Sequence, residues 1–183
     1  MKTKEKIMNS YWELLEKKPY NKITVQNIVE NCHVNRNTFY YHFQDIPSLT
    51  EETIQGWVDH IIIENYEFGT PASCIVPVVK EFVKRKNAFR HLYFSSQRDI
   101  FIKQLNHVTE HTIRTYIEQT SKHIGLSKQN QEIIIRLYKC LSMGMFLDWI
   151  EDESSYDLLA FTKQICDMFE GLDQEMIIRI HKK

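Results

Sequence analysis

Ile7, Tyr11, Leu14 and Leu15 recur at helical spacing before Pro19, which predicts a first amphipathic helix over roughly residues 2–18. Thr24 then stands at a helix start, with Ile23 before it and Ile28 at the fourth helical position, the arrangement of a hydrophobic staple; Val25, Ile28, Val29 and Cys32 give this second helix one buried stripe. The device repeats immediately. Asn35 caps a third, short helix, Val34 precedes the cap and Phe39 is the fourth helical residue. Asp45 caps a fourth helix that tolerates Pro47 in its first turn and runs to about Phe68, where Gly69-Thr70-Pro71 supplies a stop.

Beyond that stop the helical rhythm continues. A segment from Pro71 to Lys86, kinked or restarted at Pro77, precedes a short helix around Ala88–Phe94. A long helix carrying Phe101, Leu105, Val108, Thr112 and Tyr116 ends at Gly125. Ser127 caps the next, which extends to about Glu151, and Ser154 or Ser155 caps a last one ending near Gly171. No convincing strand interrupts the series. The expectation is an all-α chain of about nine helices: a three-helix N-terminal domain, residues 1–45, and a larger C-terminal bundle, residues 46–183.

Composition agrees with long helices, since the 183 residues include only five Gly and four Pro, none of the Pro after Pro77. The formal net charge of -1 is unpromising for a nucleic-acid binder until it is divided by position. Residues 1–45 carry seven Lys/Arg against five Asp/Glu, and the remainder 16 against 19, so a basic head sits on an acidic body. Cys32, Cys74, Cys140 and Cys166 form no CxxC pair and each falls in an apolar pattern, which reads as core thiols in a reducing compartment. The charged start, Met-Lys-Thr-Lys-Glu-Lys, is unlike a secretory signal, and no apolar run has the length of a membrane span. A soluble, cytoplasmic protein is expected.

The chemistry concentrates in residues 23–45, where two short helices joined by a tight turn have the form of a helix-turn-helix DNA reader. Taking Phe39 as inward and advancing about 100° per residue, Asn37 and Tyr41 fall on the outward face, flanked by Thr38 and Tyr40, while Phe43 also turns to the core. Arg36 suits the two major-groove acceptors of guanine and Asn37 the donor–acceptor pair of adenine. The tyrosine hydroxyls, Thr24, the free N–H groups of helix 2 and His42 suit phosphate oxygens, and Lys2, Lys4 and Lys6 add nonspecific attraction. An ordinary helical hairpin with packing aromatics must explain two stapled starts and a polar outward face together, which it does not. No catalytic constellation, glycine-rich phosphate loop or nucleophile elbow is present, so an enzyme is not expected, nor a cofactor. His107 and His111 lie four apart on one helix face, but no Glu or Cys follows at ligand spacing, and no metal site is expected.

The stretch Ile23–Leu49 resembles the N-terminal domain of the tetracycline-repressor (TetR) family. That family's pattern appears as Thr24-Val25-Gln26-Asn27-Ile28-Val29, then His33-Val34-Asn35, then Thr38-Phe39-Tyr40-Tyr41-His42-Phe43 and the acidic cap Asp45. Two positions depart from it. His33 replaces the glycine of the turn, a residue that enters a left-handed conformation only at a cost, and Ile46 replaces a lysine that often follows the acidic cap and touches phosphate.

The resemblance implies an all-helical homodimer in which helices 1–3 bind DNA through Thr24, Asn35, Arg36, Asn37, Thr38, Tyr40, Tyr41 and His42, while the body binds a small effector and pairs the subunits. The helix over 130–151 is apolar on two faces, with Ile133, Leu137, Cys140 and Gly144 on one and Ile134, Tyr138, Leu141, Met145 and Trp149 on the other. One face serves its own core. The other predicts a dimer contact through Cys140 and Gly144, completed by Leu158, Phe161, Ile165, Met168 and Phe169 of the last helix. Trp57, Ile61, Phe82, Phe94, Phe101, Leu105, Tyr138 and Trp149 are the candidates to line an effector pocket, with His107 or Tyr138 as polar anchor and a hydrophobic or aromatic ligand favoured. The expected function is a ligand-responsive repressor that binds a near-palindromic operator; the alternative is a DNA-independent co-regulator acting through a TetR-like partner subunit.

Overall fold

A computed structural model of the chain describes residues 2–64, 71–121, 126–153 and 155–169, with side chains for all of these except 62–64, 71–74, 120, 121 and 169. Among them are nine α-helices and no strand. They are α1 (Thr3–Lys17), α2 (Val25–Asn31), α3 (Arg36–His42), α4 (Ile46–Glu64), α5 (Pro71–Lys84), α6 (Lys86–Tyr93), α7 (Arg98–Ser121), α8 (Lys128–Glu151) and α9 (Leu158–Phe169), with one 3-10 turn at Tyr20–Lys22. α5 passes through Pro77 as a single helix instead of restarting there. The stops expected at Gly69, Gly125 and Gly171 lie outside the described residues.

The local start signals act as the sequence implies. Thr24 Oγ1 accepts the Asn27 N–H at 3.2 Å while Asn27 Oδ1 accepts the Thr24 N–H at 3.2 Å, a capping box in which Asn takes the usual place of Glu. Asn35 Oδ1, Asp45 Oδ1 and Ser127 Oγ accept the N–H groups of Thr38, Ser48 and Asn130. The last helix corrects the expectation. Asp157, not a serine, caps α9 by accepting the Ala160 N–H at 3.0 Å, while the Ser155 hydroxyl turns back to Asp152 and Ser154 lies outside the described residues.

The chain packs as two compact units: residues 1–60 with 85–105, and residues 61–84 with 106–183. The first thus holds the three N-terminal helices, most of α4, α6 and the start of α7. Its spine is α1, which buries Ile7, Tyr11 and Leu15. Ser10 Oγ donates to Ile28 O at 3.0 Å and ties α1 to α2; Tyr11 donates to Thr50 Oγ1 at 2.6 Å, and Thr50 donates onward to Ile46 O at 2.8 Å, tying α1 to α4. α6 lays Ala88, Phe89, Leu92 and Tyr93 inward, with Phe89 packed edge-on against both Trp12 and Trp57.

In the second unit Phe82 of α5 meets Phe146 and Trp149 of α8, with ring centroids 4.5 and 6.4 Å apart. Glu110 and Arg114 of α7 pair with Lys139 and Glu132 of α8. Trp149 donates its indole N–H to Tyr156 O at 3.0 Å and so pins the connection into α9. Three cysteines depart from the expected burial: Cys140 is exposed and Cys32 and Cys166 are half-buried, while the Cys74 side chain lies outside the described set.

Burial holds the Tyr11 hydroxyl protonated, pushing its pKa well above the ordinary 10.0 despite the bond to Thr50. A folded pKa raised above the unfolded one contributes stability that is complete below about pH 10 and is lost as the pH rises further. Tyr11→Phe is expected to lower stability at neutral pH by about 1 kcal/mol, the worth of the lost hydrogen bond. Urea melts repeated from neutral to alkaline pH should show a shallower alkaline decline in that variant than in the native chain.

Candidate nucleic-acid interface

Between α2 and α3 the chain reverses in four residues. The His33 and Val34 N–H groups donate to Glu30 O and Val29 O at 3.3 and 3.0 Å, and His33 carries φ 56°, in the left-handed region. The imidazole stands in solvent, so the cost of that conformation is backbone strain alone. α3 follows with Phe39 fully buried and Phe43, just past its end, 2 % exposed. The opposite side faces outward: Asn37 is exposed, Tyr40 is 56 % and Tyr41 84 % exposed. Thr38 is half-buried, its hydroxyl donating to Asn35 Oδ1 at 3.0 Å, and His42 packs edge-on against Tyr41.

Arg36 is less free than the sequence implies. Its Nε donates to Gln26 Oε1 at 2.9 Å, and the Gln26 amide donates in turn to Glu30. Gln26 is therefore a partner of Arg36 that sequence reasoning missed; the signal lay in its i, i+4 relation to Glu30 on α2. The arrangement leaves the Arg36 Nη groups available while it restricts the side chain. Lys4 departs from the expected basic cluster, for it pairs with Glu52 and lies over the Phe43 ring at 5.5 Å, bracing the back of α3. Thr24 is exposed at the α2 N-terminus, and Lys18 Nζ donates to Asn27 Oδ1 at 2.8 Å beside it.

Two family models match this chain. One, described as bacterial regulatory proteins of the tetR family, covers residues 7–53; the other, a transcriptional regulator C-terminal region, covers residues 69–171, more than half the chain. The chain belongs to the TetR family of transcriptional regulators. It is a DNA-binding regulator with an N-terminal helix-turn-helix domain and a C-terminal helical region. No curated protein sequence matches it significantly. Among solved structures it is similar in fold to the dihydroxyacetone kinase operon activator DhaS, with TM-score 0.80 and 16 % identity over 93 % of this chain and 95 % of that one. It is also similar to native NalD of Pseudomonas aeruginosa, secondary repressor of the MexAB-OprM multidrug efflux pump, with TM-score 0.56 and 18 % identity over 97 % and 94 % of the two chains.

The residues singled out in the body of this TetR-family protein divide between the two compact units. Trp57, Phe101 and Leu105 are buried in the first, and Ile61, Phe82 and Trp149 in the second, where Tyr138 is half-buried. Phe94 and His107 are corrections: Phe94 is 64 % exposed and His107 also faces solvent. Phe94 stands just past the end of α6, four residues after Arg90, and that guanidinium lies 5.8 Å from its ring. His107 sits 6.5 Å from His111, and among the described residues no cluster of three or more His, Cys, Asp or Glu is placed to hold a metal ion. No helix among them is long and apolar enough to cross a membrane.

The dimer candidates divide as well. Ile133, Leu137, Cys140, Leu141 and Gly144 of α8 face outward together, so Leu141, expected on the inner face, is on the outer one. On α9 Phe161 is 40 % and Met168 74 % exposed, Ile165 is half-buried, and the Phe169 side chain lies outside the described set. Leu158 is 1 % exposed and belongs to the core of this chain, one residue after the Asp157 cap of α9.

Two substitutions test the geometry of the reader. His33→Gly removes left-handed strain of about 1–2 kcal/mol but restores chain entropy in the unfolded state, for a net gain of roughly 0.5–1 kcal/mol. Gln26→Ala leaves thermal stability nearly unchanged and weakens DNA binding by about 1 kcal/mol, because Arg36 must then be ordered on binding. Thermal melts and fluorescence anisotropy with labelled duplex separate these two effects.

Proposed function

We propose that this protein is a ligand-responsive repressor that works in the cytoplasm as a homodimer on a near-palindromic operator. The observation that carries the reading is the outward face of α3, where Asn37, Tyr40 and Tyr41 stand exposed on a helix whose back is fully buried. In this reading Arg36 and Asn37 meet base edges, while Thr24, Tyr40, Tyr41, His42 and the free N–H groups of α2 meet phosphates, with Asn35 and Thr38 fixing the start of the helix. Two recognition helices related by a two-fold axis meet half-sites one helical turn apart, about 34–36 Å, or at multiples of that spacing.

Pairing through α8 and α9 is supported by the apolar row Ile133, Leu137 and Leu141, continued by Phe161 and Met168, all substantially exposed in the single chain. A Cβ built at Gly144 would meet nothing within 4 Å, so its own subunit does not require the glycine there. A neighbouring helix approaching closely would. α4 begins in the first unit and ends in the second, so a ligand bound in the body and wedging this helix alters the spacing of the recognition helices and releases DNA, provided it favours the released state.

Selection from random duplexes with the purified protein is expected to return an inverted repeat, and no enriched motif would contradict the reading. Arg36→Ala and Asn37→Ala should each relax preference at one position by roughly 1–3 kcal/mol, whereas Tyr41→Phe should weaken all sites evenly. Gly144→Glu should sediment as a monomer with an unchanged melting temperature and bind operator poorly. A native chain that sediments as a monomer at micromolar concentration would reject the dimer.

A further inference from the structure

Three side chains of the reader form one chain of hydrogen bonds at the surface. Arg36, the first residue of α3, reaches back across the turn, and its Nε donates to Gln26 Oε1 at 2.9 Å; the Gln26 amide donates in turn to the Glu30 carboxylate, one helical turn further along α2. The orientation of the amide is fixed from both sides, since Arg36 Nε can only donate and the carboxylate can only accept. With Nε committed, the side fork of the guanidinium is occupied, and the end fork formed by its two Nη groups is left to meet a partner. Stability does not explain Glu30. It stands in the last turn of α2, where the helix dipole disfavours a negative charge, and an exposed i, i+4 pair contributes little. Beside a surface that meets phosphates, its charge also opposes DNA. A carboxylate bonded directly to Arg36 would neutralise the guanidinium, whereas the interposed neutral amide holds the side chain and leaves its charge for DNA.

We infer that Glu30 is a positioning residue of the reader: acting through Gln26, it holds Arg36 with its end fork presented and so sharpens the choice of guanine at one position of each half-site. The inference rests on the operator reading above and adds to it a residue that touches no base. The two Nη groups match the N7 and O6 acceptors of guanine, whereas adenine sets an amino donor beside its N7 and refuses one arm of the fork. The gain is one of order. An arginine already restrained realises the full pair at guanine, a loose one must first be ordered, and at a wrong base neither gains anything. Removing the restraint therefore lowers discrimination by the ordering cost of one long side chain, roughly two- to tenfold.

The test is a set of parallel selections from one random-duplex library with the native chain, Arg36→Ala, Gln26→Ala, Glu30→Ala, Glu30→Gln and the Gln26→Ala/Glu30→Ala double variant. Each is followed by titration of the selected duplex and of its copy with the guanine–cytosine pair exchanged for adenine–thymine. Arg36→Ala identifies the position and should abolish its guanine preference. Glu30→Ala should keep the native melting temperature and bind random duplex at least as tightly as the native chain, because a negative charge is gone, yet lose roughly two- to tenfold in guanine preference. Affinity and discrimination then move in opposite directions, which a damaged fold would not produce. Glu30→Gln, whose amide oxygen still accepts, should keep the preference. The double variant should lose no more than Gln26→Ala alone, because Glu30 acts only through Gln26. An unchanged preference in Glu30→Ala, or additive losses in the double variant, would overturn the inference. If Arg36→Ala abolishes the preference while Glu30→Ala leaves it intact, the role of Glu30 is rejected and the operator reading stands. A native selection without a guanine position that depends on Arg36 would overturn the inference together with the base contact assigned to Arg36.

Discussion

α3 is seven residues long, too short to hold a helical conformation by its own hydrogen bonds, and every functional property of the reader depends on what is buried behind it. Phe39 and Phe43 enter the core from its inner side, and Asn35 fixes its first turn. Truncating a fully buried phenylalanine costs about 3–5 kcal/mol, several times the worth of a surface contact. The outward side chains are thus displayed on a helix whose position is set entirely by tertiary burial. Asn37, Tyr40 and Tyr41 stand exposed on its outer side, with Tyr40 also packed edge-on against Phe39.

The same unit shows how this small reader is joined to the rest of the chain. The α1 C-terminus is tied to α6 at two points: His91 Nδ1, in the last turn of α6, donates to Leu15 O at 2.6 Å, and the Glu16 carboxylate accepts the Ala88 N–H of the first turn at 3.4 Å. Burial pushes the Glu16 carboxyl above its ordinary pKa, although the Ala88 N–H and the nearby Arg85 and His91 pull it down. Arg85 also lies over the Trp12 ring at 5.3 Å. With Tyr11 bonded to Thr50, α1 is held to α2, α4 and α6 at once.

What was legible in the sequence was local. Thr24, Asn35, Asp45 and Ser127 signal helix starts through atoms three residues away, and the structure uses all four. The strained turn at His33 was legible too, since the motif demands a left-handed residue and the chain supplies a histidine. What escaped depends on which neighbour a side chain finds. Gln26 looks like any exposed polar residue until α3 places Arg36 beside it. Lys4 looks like a phosphate contact until α4 offers Glu52. On α8 two apolar faces were evident, but a register of 100° per residue leaves the border residue Leu141 undecided until the core selects Ile135, Met143, Phe146 and Ile150 as its inner row. Phe94 was misjudged for the same reason: an aromatic at the end of an amphipathic helix turns outward when the buried row has already passed.

In the function proposed above, the back of α3 carries its stability and the front its specificity. Amide hydrogen exchange across residues 36–42 in the Asn37→Ala protein, measured beside its affinity for the selected operator, addresses both sides together. Native protection throughout α3 together with lost base preference is expected. Exchange accelerated to the level of Phe39→Ala, or an operator preference that survives, would contradict it.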